Sequence, residues 1–177
     1  MMLLLLAALN LAQAGELAGV KVPDQVTVGG QPLALNGMGL REKIVIDVYV
    51  GSLYLPQKTS QASKAVDADV PKRIQLNFIY ETVTVEQQKE AFSEAMAKLP
   101  NAAAVADRMT RLATSMELVH SGDEVVFDYV PGKGTQVKVK GKDKGTIEGA
   151  DFMRALWTIY LGPNPPSESL KKGMLGL

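Results

Sequence analysis

The run of residues 44–55, IVIDVYVGSLYL, constrains the fold of this chain more than any other segment. It is rich in β-branched and aromatic residues, which favour β-strands, and it predicts one long strand. Side chains alternate between the two faces of a strand, so one face carries Ile44, Ile46, Val48 and Val50. The other face carries Val45, Asp47 and Tyr49. Gly51, inside the run, predicts a bulge or a close approach of another part of the backbone.

Shorter strands are predicted on both sides of this run. Residues 25–35 predict a hairpin that turns at Gly29-Gly30, and Asn36 to Gly39 predicts a flexible connection. Alternating apolar residues predict further strands, at residues 72–80, 124–130, 136–140 and 145–148.

Two adjacent helices are predicted between these strands. Thr84 and Gln87 have the spacing of a capping box, and an apolar stripe follows as far as Pro100. A second stripe after Asn101 predicts another helix, so the two form an αα-hairpin. Further helices are predicted at residues 59–68, at 150–161 and after Ser167. Strands interrupted by helices predict a single α+β domain over residues 15–177, an antiparallel sheet with helices on one face.

Composition excludes several classes of function. The chain has 177 residues, with 19 Lys and Arg against 19 Asp and Glu, so no basic excess points to nucleic acid. It has no Cys, which excludes disulfides, thiolate catalysis and Cys-based zinc sites. The single histidine, His120, gives no cluster of ligands for a transition metal. We therefore expect neither a metal nor a cofactor.

Residues 1–14, MMLLLLAALNLAQA, resemble a secretory signal peptide. The apolar run is too short to span a bilayer as a helix, and it ends in Ala12-Gln13-Ala14, a suitable cleavage site. Cleavage after Ala14 predicts a periplasmic or secreted protein, whereas a buried N-terminal helix or strand is the alternative. Lysines cluster near the predicted 136–140 strand, where a solvated face is expected, and any contact with a membrane would be transient.

The window from Asn36 to Leu55, NGMGLREKIVIDVYVGSLYL, resembles the chalcone isomerase-like family. The shared features are a Gly-x-Gly-x-Arg approach followed by a Val-Tyr-x-x-x-Leu-Tyr-Leu strand. The segment from Phe152 to Gly173 is similar to the terminal helices of that family. The resemblance implies an open-faced β-sandwich, in which a large antiparallel sheet packs against a layer of helices over a ligand cleft.

The resemblance also implies two ligand-binding residues. Arg41 would meet the anionic part of a ligand, and an arginine is suited to this because it is always charged and donates through a fork. Tyr49 would donate a hydroxyl, as the tyrosine does in the fatty-acid-binding members, where the true enzymes have threonine. On a straight strand these two residues would lie roughly 26 Å apart, so they can share a ligand only if the chain turns between them.

Other cleft residues are less specific. Gln88 lies on the inward stripe of its helix, where it either lines the cleft or makes an internal hydrogen bond. Tyr80 precedes that helix, and it either lines the cleft or packs against other side chains of the protein. The catalytic tyrosine of the true enzymes aligns near Gln88, and the polar amide expected after it aligns with Ala95. Neither side chain replaces a phenol in polarising a ketone.

Three functions fit the sequence. The first is an exported, non-catalytic binder of an amphipathic anionic molecule such as a fatty acid or a phenolic compound. The second is an isomerase, an intramolecular lyase acting on a chalcone-like substrate, in which Arg41 would stabilise a phenolate or enolate and Tyr49 would donate a proton. The third is an envelope interaction module without a small ligand.

Overall fold

The structure is a computed structural model that describes residues 14–177, so the predicted signal peptide lies outside the described residues except for Ala14. In chain order the elements are β1 (Ala14–Leu17), β2 (Val20–Pro23), β3 (Gln25–Val28), β4 (Gln31–Lys43), β5 (Ile46–Leu55), α1 (Ala62–Asp67), β6 (Lys72–Phe78), β7 (Thr82–Val83), α2 (Val85–Met96), α3 (Ala102–Thr114), β8 (Val119–His120), β9 (Glu124–Val130), β10 (Gly134–Val139), β11 (Lys142–Ile147), α4 (Ala150–Leu161) and α5 (Glu168–Met174).

Across residues 14–177 a seven-stranded antiparallel sheet has the order β11-β10-β9-β6-β5-β4-β3. Helices cover one face, and the main core lies between the two layers, where Phe127, Leu112 and Trp157 have no exposed surface. The hairpin of β1 and β2 covers part of the opposite face, and the Tyr54 hydroxyl donates a 2.9 Å hydrogen bond to the Pro23 carbonyl. The predicted α+β sandwich of an antiparallel sheet and a helical layer is confirmed.

The long strand predicted over residues 44–55 begins two residues later than its composition indicates. Ile44 and Val45 form the turn between β4 and β5, and Lys43 pairs with Ile46 across it. The prediction is wrong here because β-propensity describes a packed, pleated surface, whereas these two side chains are 92% and 90% exposed. The pairing of β4 with β5 shifts register between Arg41 and Glu42. Val48 of β5 therefore has no paired residue on β4.

The flexible connection predicted over Asn36 to Gly39 is instead part of β4. Its glycines allow α5 to approach the strand, because a Cβ on Gly39 would lie 2.0 Å from the Leu170 carbonyl oxygen. The Ser167 and Ser169 hydroxyls donate to the Leu40 carbonyl at 3.1 and 2.9 Å and tie the two elements together. A glycine-rich sequence here therefore marks a close backbone contact.

The predicted helices form, with one difference in burial. Helix α4 has the predicted bounds, and the stripe of α3 is fully buried. On α2 only Gln88 is buried, while Phe92 and Met96 are half-buried, and Phe92 lines a cavity beneath this helix. Helix α3 ends at Thr114, and His120 lies in the short strand β8. Among the described residues no helix is long and apolar enough to cross a membrane.

Replacing Thr84 by alanine is expected to lower the free energy of unfolding by about 1 kcal/mol. The predicted capping box is present: the Thr84 hydroxyl accepts from the Gln87 amide at 3.2 Å, and the Gln87 side chain accepts from the Thr84 amide at 2.8 Å. Urea unfolding of both proteins measures the difference. Thr110→Ala is the matched control, because the Thr110 hydroxyl bonds within α3 to Ala106 and caps nothing. Equal losses in the two variants would contradict the capping role.

Candidate functional site

A partly open cavity of about 150 Å³ lies between the sheet, α2 and the end of α4. Its sheet side is formed by apolar residues of β6 and β9 together with Arg41 and Tyr49. Its helical side is formed by one face of α2, by Ile159 and Tyr160 of α4, and by the loop from Asn164 to Pro166. The cavity therefore combines an apolar sheet side with polar groups that converge on it, an arrangement that can orient a small molecule.

Arg41 and Tyr49 lie side by side in this cavity. The turn at residues 44 and 45 places them opposite each other on β4 and β5, and Tyr49 in turn faces Phe78 on β6. Residues that face each other on adjacent strands share one face of a sheet. The Arg41 guanidinium lies 5.4 Å from the centroid of the Tyr49 ring. The chain thus makes the turn that a shared ligand requires.

No side chain in the described part of the chain balances the positive charge of Arg41. Among residues 14–177 no carboxylate forms an ion pair with it, although Glu42 and Asp47 are close in sequence. Its Nε is buried and has no hydrogen-bond partner in the described residues. Arg41 as a whole is only half-buried, so the rest of its guanidinium remains accessible from the cavity. A guanidinium in this setting can donate hydrogen bonds to an anion.

Two phenols accompany the guanidinium. Burial raises the pKa of Tyr49 above its usual value, and the positive charge of Arg41 opposes that rise. Burial also raises the pKa of Tyr160 well above the usual value; Tyr49 adds to this rise and Arg41 opposes it. Both side chains are at most 4% exposed. They stay protonated at neutral pH, so each can donate a hydrogen bond to a ligand.

Gln88 lines the cavity, but its amide is held by the backbone. Its Nε2 donates to the Glu117 carbonyl at 2.7 Å and makes longer bonds to the Val83 and Thr84 carbonyls. The internal hydrogen bond that the sequence allowed is thus present, alongside a place in the cavity wall. With its donors engaged, Gln88 presents an acceptor, which suits a ligand hydroxyl and not an anion.

Tyr80 lies outside the cavity. It is 39% exposed and lines a neighbouring groove of about 270 Å³, which also contains Ile44 and Ile46. Arg41 and Gln87 line both the groove and the cavity, so the two spaces meet at the guanidinium. The structure brings Arg41, Tyr49 and Gln88 together and leaves Tyr80 at the approach to them.

Tyr160 is a cavity residue that the sequence pattern alone does not select. It belongs to a helix that is apolar around most of its circumference, and this pattern assigns it to the core. A buried tyrosine needs a partner for its hydroxyl, and this requirement is the signal that could have identified it. Lys98 and Glu94 of α2 line the cavity as well, although both are exposed and no sequence signal distinguishes them. Within residues 14–177 no group of acidic or histidine side chains could hold a metal ion.

The fold agrees with comparisons to known proteins. A family model described as chalcone isomerase-like matches residues 14–176, and this chain belongs to that family. The crystal structure of a fatty-acid binding protein from Arabidopsis thaliana, AtFAP1, is similar in fold, with a TM-score of 0.75 and 17% sequence identity. The alignment covers 92% of this chain and 96% of the Arabidopsis chain. No curated protein matches the sequence significantly.

Proposed function

We propose that this protein binds an amphipathic anionic molecule, such as a fatty acid, in the cavity and does not transform it. The observation that carries the proposal is the Arg41 guanidinium, which has no ion-pair partner among residues 14–177, in a cavity with an apolar sheet side. A carboxylate can accept two hydrogen bonds from the guanidinium fork. The phenols of Tyr49 and Tyr160 supply further donors, and the apolar wall accommodates a hydrocarbon tail. The fatty-acid binding named for the Arabidopsis protein supports this ligand class.

Helix α2 provides the room that a longer tail needs. Ligand pockets commonly have volumes of about 300–1,000 Å³, so a cavity of about 150 Å³ must enlarge to enclose a long chain. The apolar stripe of α2, which includes Phe92 and Met96, is only half-buried, so this helix is held less firmly than α3 or α4. A small outward shift of α2 would widen the junction between the cavity and the groove beside Arg41.

Replacing Arg41 by glutamine is expected to weaken the binding of dodecanoate by about 10- to 100-fold. Hydrogen bonds to charged groups contribute about 1.5–3 kcal/mol, and 1.4 kcal/mol corresponds to a factor of ten in affinity. Isothermal titration calorimetry measures the dissociation constants of dodecanoate and of methyl dodecanoate. The ester should bind the wild-type protein weakly and the variant equally weakly.

Two matched variants accompany this experiment. Arg41→Lys keeps the charge and loses the fork, so it should lie between the wild type and Arg41→Gln. Arg111→Gln removes an exposed arginine of α3 that bonds the Thr146 carbonyl outside the cavity, and it should bind as the wild type does. If Arg41→Gln bound dodecanoate as tightly as the wild type, or if the ester bound as tightly as the acid, the proposed carboxylate contact would be wrong.

The alternative functions have less support. An isomerase could use Arg41, Tyr49 and Tyr160 to stabilise an oxyanion, but the positions of the enzymes' catalytic tyrosine and amide carry Gln88 and Ala95. Both of these residues line the cavity, and Gln88 has its donors engaged. Absorbance of 2′-hydroxychalcone, compared with its spontaneous rate of cyclisation, tests this alternative. A filled interior with Arg41 on the outer surface would have favoured the third alternative, an interaction module without a small ligand.

Export remains part of the proposal. Cleavage after Ala14 would release a protein that begins at Gly15 in the periplasm or outside the cell. The intact mass of the protein, purified from cells that express the full chain, tests this cleavage.

A further inference from the structure

The tip of the β4–β5 hairpin exposes apolar side chains in a prominent position. Ile44 and Val45 are 92% and 90% exposed, and Ile46 and Tyr80 beside them are 41% and 39% exposed. Isolated exposed apolar residues are common on proteins, but here three are consecutive at the end of a hairpin. The two most exposed of these side chains project away from the body of the protein.

The turn itself is unfavourable for its sequence. Ile44 and Val45 form a two-residue loop, and Ile44 has a φ of 63°. Glycine is favoured at such a position, and a β-branched residue there is a backbone outlier. Ile44 gains no burial in return for this strain. A residue that costs backbone energy and contributes nothing to packing points to a function outside the folded chain.

We propose that Ile44 and Val45 insert into the surface of a lipid bilayer and anchor the protein there reversibly. A second protein is a poorer occupant for this tip, because stable protein interfaces bury roughly 800 Å² on each partner. Three or four side chains at a narrow tip fall far short of that area. A bilayer needs no matching surface, since each apolar side chain that leaves water contributes independently.

The groove beside the tip supports this choice of partner. Ile44, Ile46 and Tyr80 line its outer part, and Arg41 lies where the groove meets the cavity. The groove therefore runs from the tip to the Arg41 guanidinium, with Lys43, Glu90 and Glu94 also along its wall. A bilayer touching the tip would lie at the outer end of that path.

Charges around the tip indicate that insertion is apolar and not electrostatic. The flanking exposed residues are Glu42, Lys43 and Asp47, which carry no positive excess. The lysine-rich region of β10 and β11 is a weak competitor for the bilayer. Three of its lysines are already paired with carboxylates: Lys138 with Asp128, and Lys140 and Lys144 with Glu117.

Flotation with phosphatidylcholine vesicles tests the proposal. The wild-type protein should float with the vesicles in low and in high salt, and phosphatidylglycerol should add little. The Ile44→Ser/Val45→Ser double variant should lose at least about tenfold in vesicle partitioning, because two inserting side chains become polar. Leu177→Ser is the matched control: it changes an exposed leucine at the C-terminus and should leave partitioning unchanged.

Two further variants separate this role from others. Ile44→Gly should unfold at the same or a higher urea concentration than the wild type and yet partition less, because it relieves strain and removes the side chain. Arg41→Gln should partition as the wild type does, even though it loses dodecanoate binding, so the two proposals can fail separately.

Several outcomes would overturn the anchor. One is a wild-type protein that does not float, and another is a double variant that floats as well as the wild type. A third is flotation that requires phosphatidylglycerol and disappears in high salt, which would assign binding to the lysine-rich region. Sedimentation equilibrium adds a fourth. If the wild-type protein were a dimer and the double variant a monomer, a second copy of the chain, and not a bilayer, would cover the tip.

Discussion

Replacing Gly39 by alanine is expected to lower the free energy of unfolding by about 3 kcal/mol or more, at the upper end of overpacking effects. The added Cβ would lie 2.0 Å from the Leu170 carbonyl oxygen and 2.6 Å from its carbonyl carbon. These are backbone atoms, so no side-chain rotation relieves the contact. Helix α5 would have to move away from β4, and that movement would loosen Leu170 and Met174, which have no exposed surface. Urea unfolding measures the loss.

Gly122→Ala is the matched control for this prediction. Gly122 has a φ of 94°, and a Cβ added there would meet no neighbouring atom within 4 Å, so alanine costs only backbone strain, about 1–2 kcal/mol. Gly39 has no positive φ, so its cost comes from the collision alone. A Gly39→Ala variant no less stable than Gly122→Ala would show that α5 can shift freely on β4.

The stability of the protein is expected to rise by about 2 kcal/mol between pH 7.5 and pH 9.5, through the titration of Lys72. Lys72 has no exposed surface, and its ammonium donates to the Ala65 and Val66 carbonyls at the end of α1, at 2.8 and 2.9 Å. Burial lowers the pKa of Lys72 from 10.5 to about 7; Arg154 adds to this change, while Asp67 and Asp69 oppose it.

The direction follows from proton binding in the two states. Between pH 7 and 10.5 the unfolded chain keeps the Lys72 proton and the folded chain releases it. Raising the pH therefore favours the folded state in this window, by at most about 1.4 kcal/mol per pH unit. Above pH 10 the trend reverses, because burial raises the pKa values of Tyr54 and Tyr129 to about 12 and their phenols ionise more readily in the unfolded chain.

Urea unfolding at pH 7.5, 8.5 and 9.5 measures this dependence. Lys72→Met should remove most of the rise, whatever its effect on stability at a single pH. Lys64→Met, at an exposed position on α1, should retain the rise. A wild-type protein with constant stability over this range would contradict the assignment, as would a Lys72→Met variant with the wild-type slope.

Local signals in the sequence predict many elements well. The Gly29-Gly30 turn, the capping box of α2 and both ends of α4 are correct, because each depends on residues close together in the chain. The fold class follows from the order of these elements. The resemblance drawn from the window at Arg41 identifies the family, which the family model confirms.

The errors arise where distant parts of the chain decide the structure. The Gly37-Met38-Gly39 segment has the composition of a flexible connection, and nothing nearby in the sequence shows that α5 lies against it. Ile44 and Val45 have a high strand propensity, although the register of β4 and β5 puts them in the turn. That same register brings Arg41 and Tyr49 together, where a straight strand would have separated them.

The candidate site is predictable only in part. Arg41 and Tyr49 come from the resemblance, and the polarity of Gln88 on an apolar stripe draws attention to it. Tyr160 is hidden because α4 is apolar around most of its surface, and only the three-dimensional arrangement shows that its phenol reaches the cavity. The Arg41→Gln experiment tests whether these residues bind a ligand.

The contact between α5 and β4 has a consequence for how the chain folds. The bonds from Ser167 and Ser169 to Leu40 join residues that are 127 and 129 positions apart. Contacts of such long range slow folding, because a large loop must close before they contribute. As the chain emerges from the ribosome, the strand that carries Arg41 therefore waits for residues 167–174 to be synthesised before its glycine face is covered.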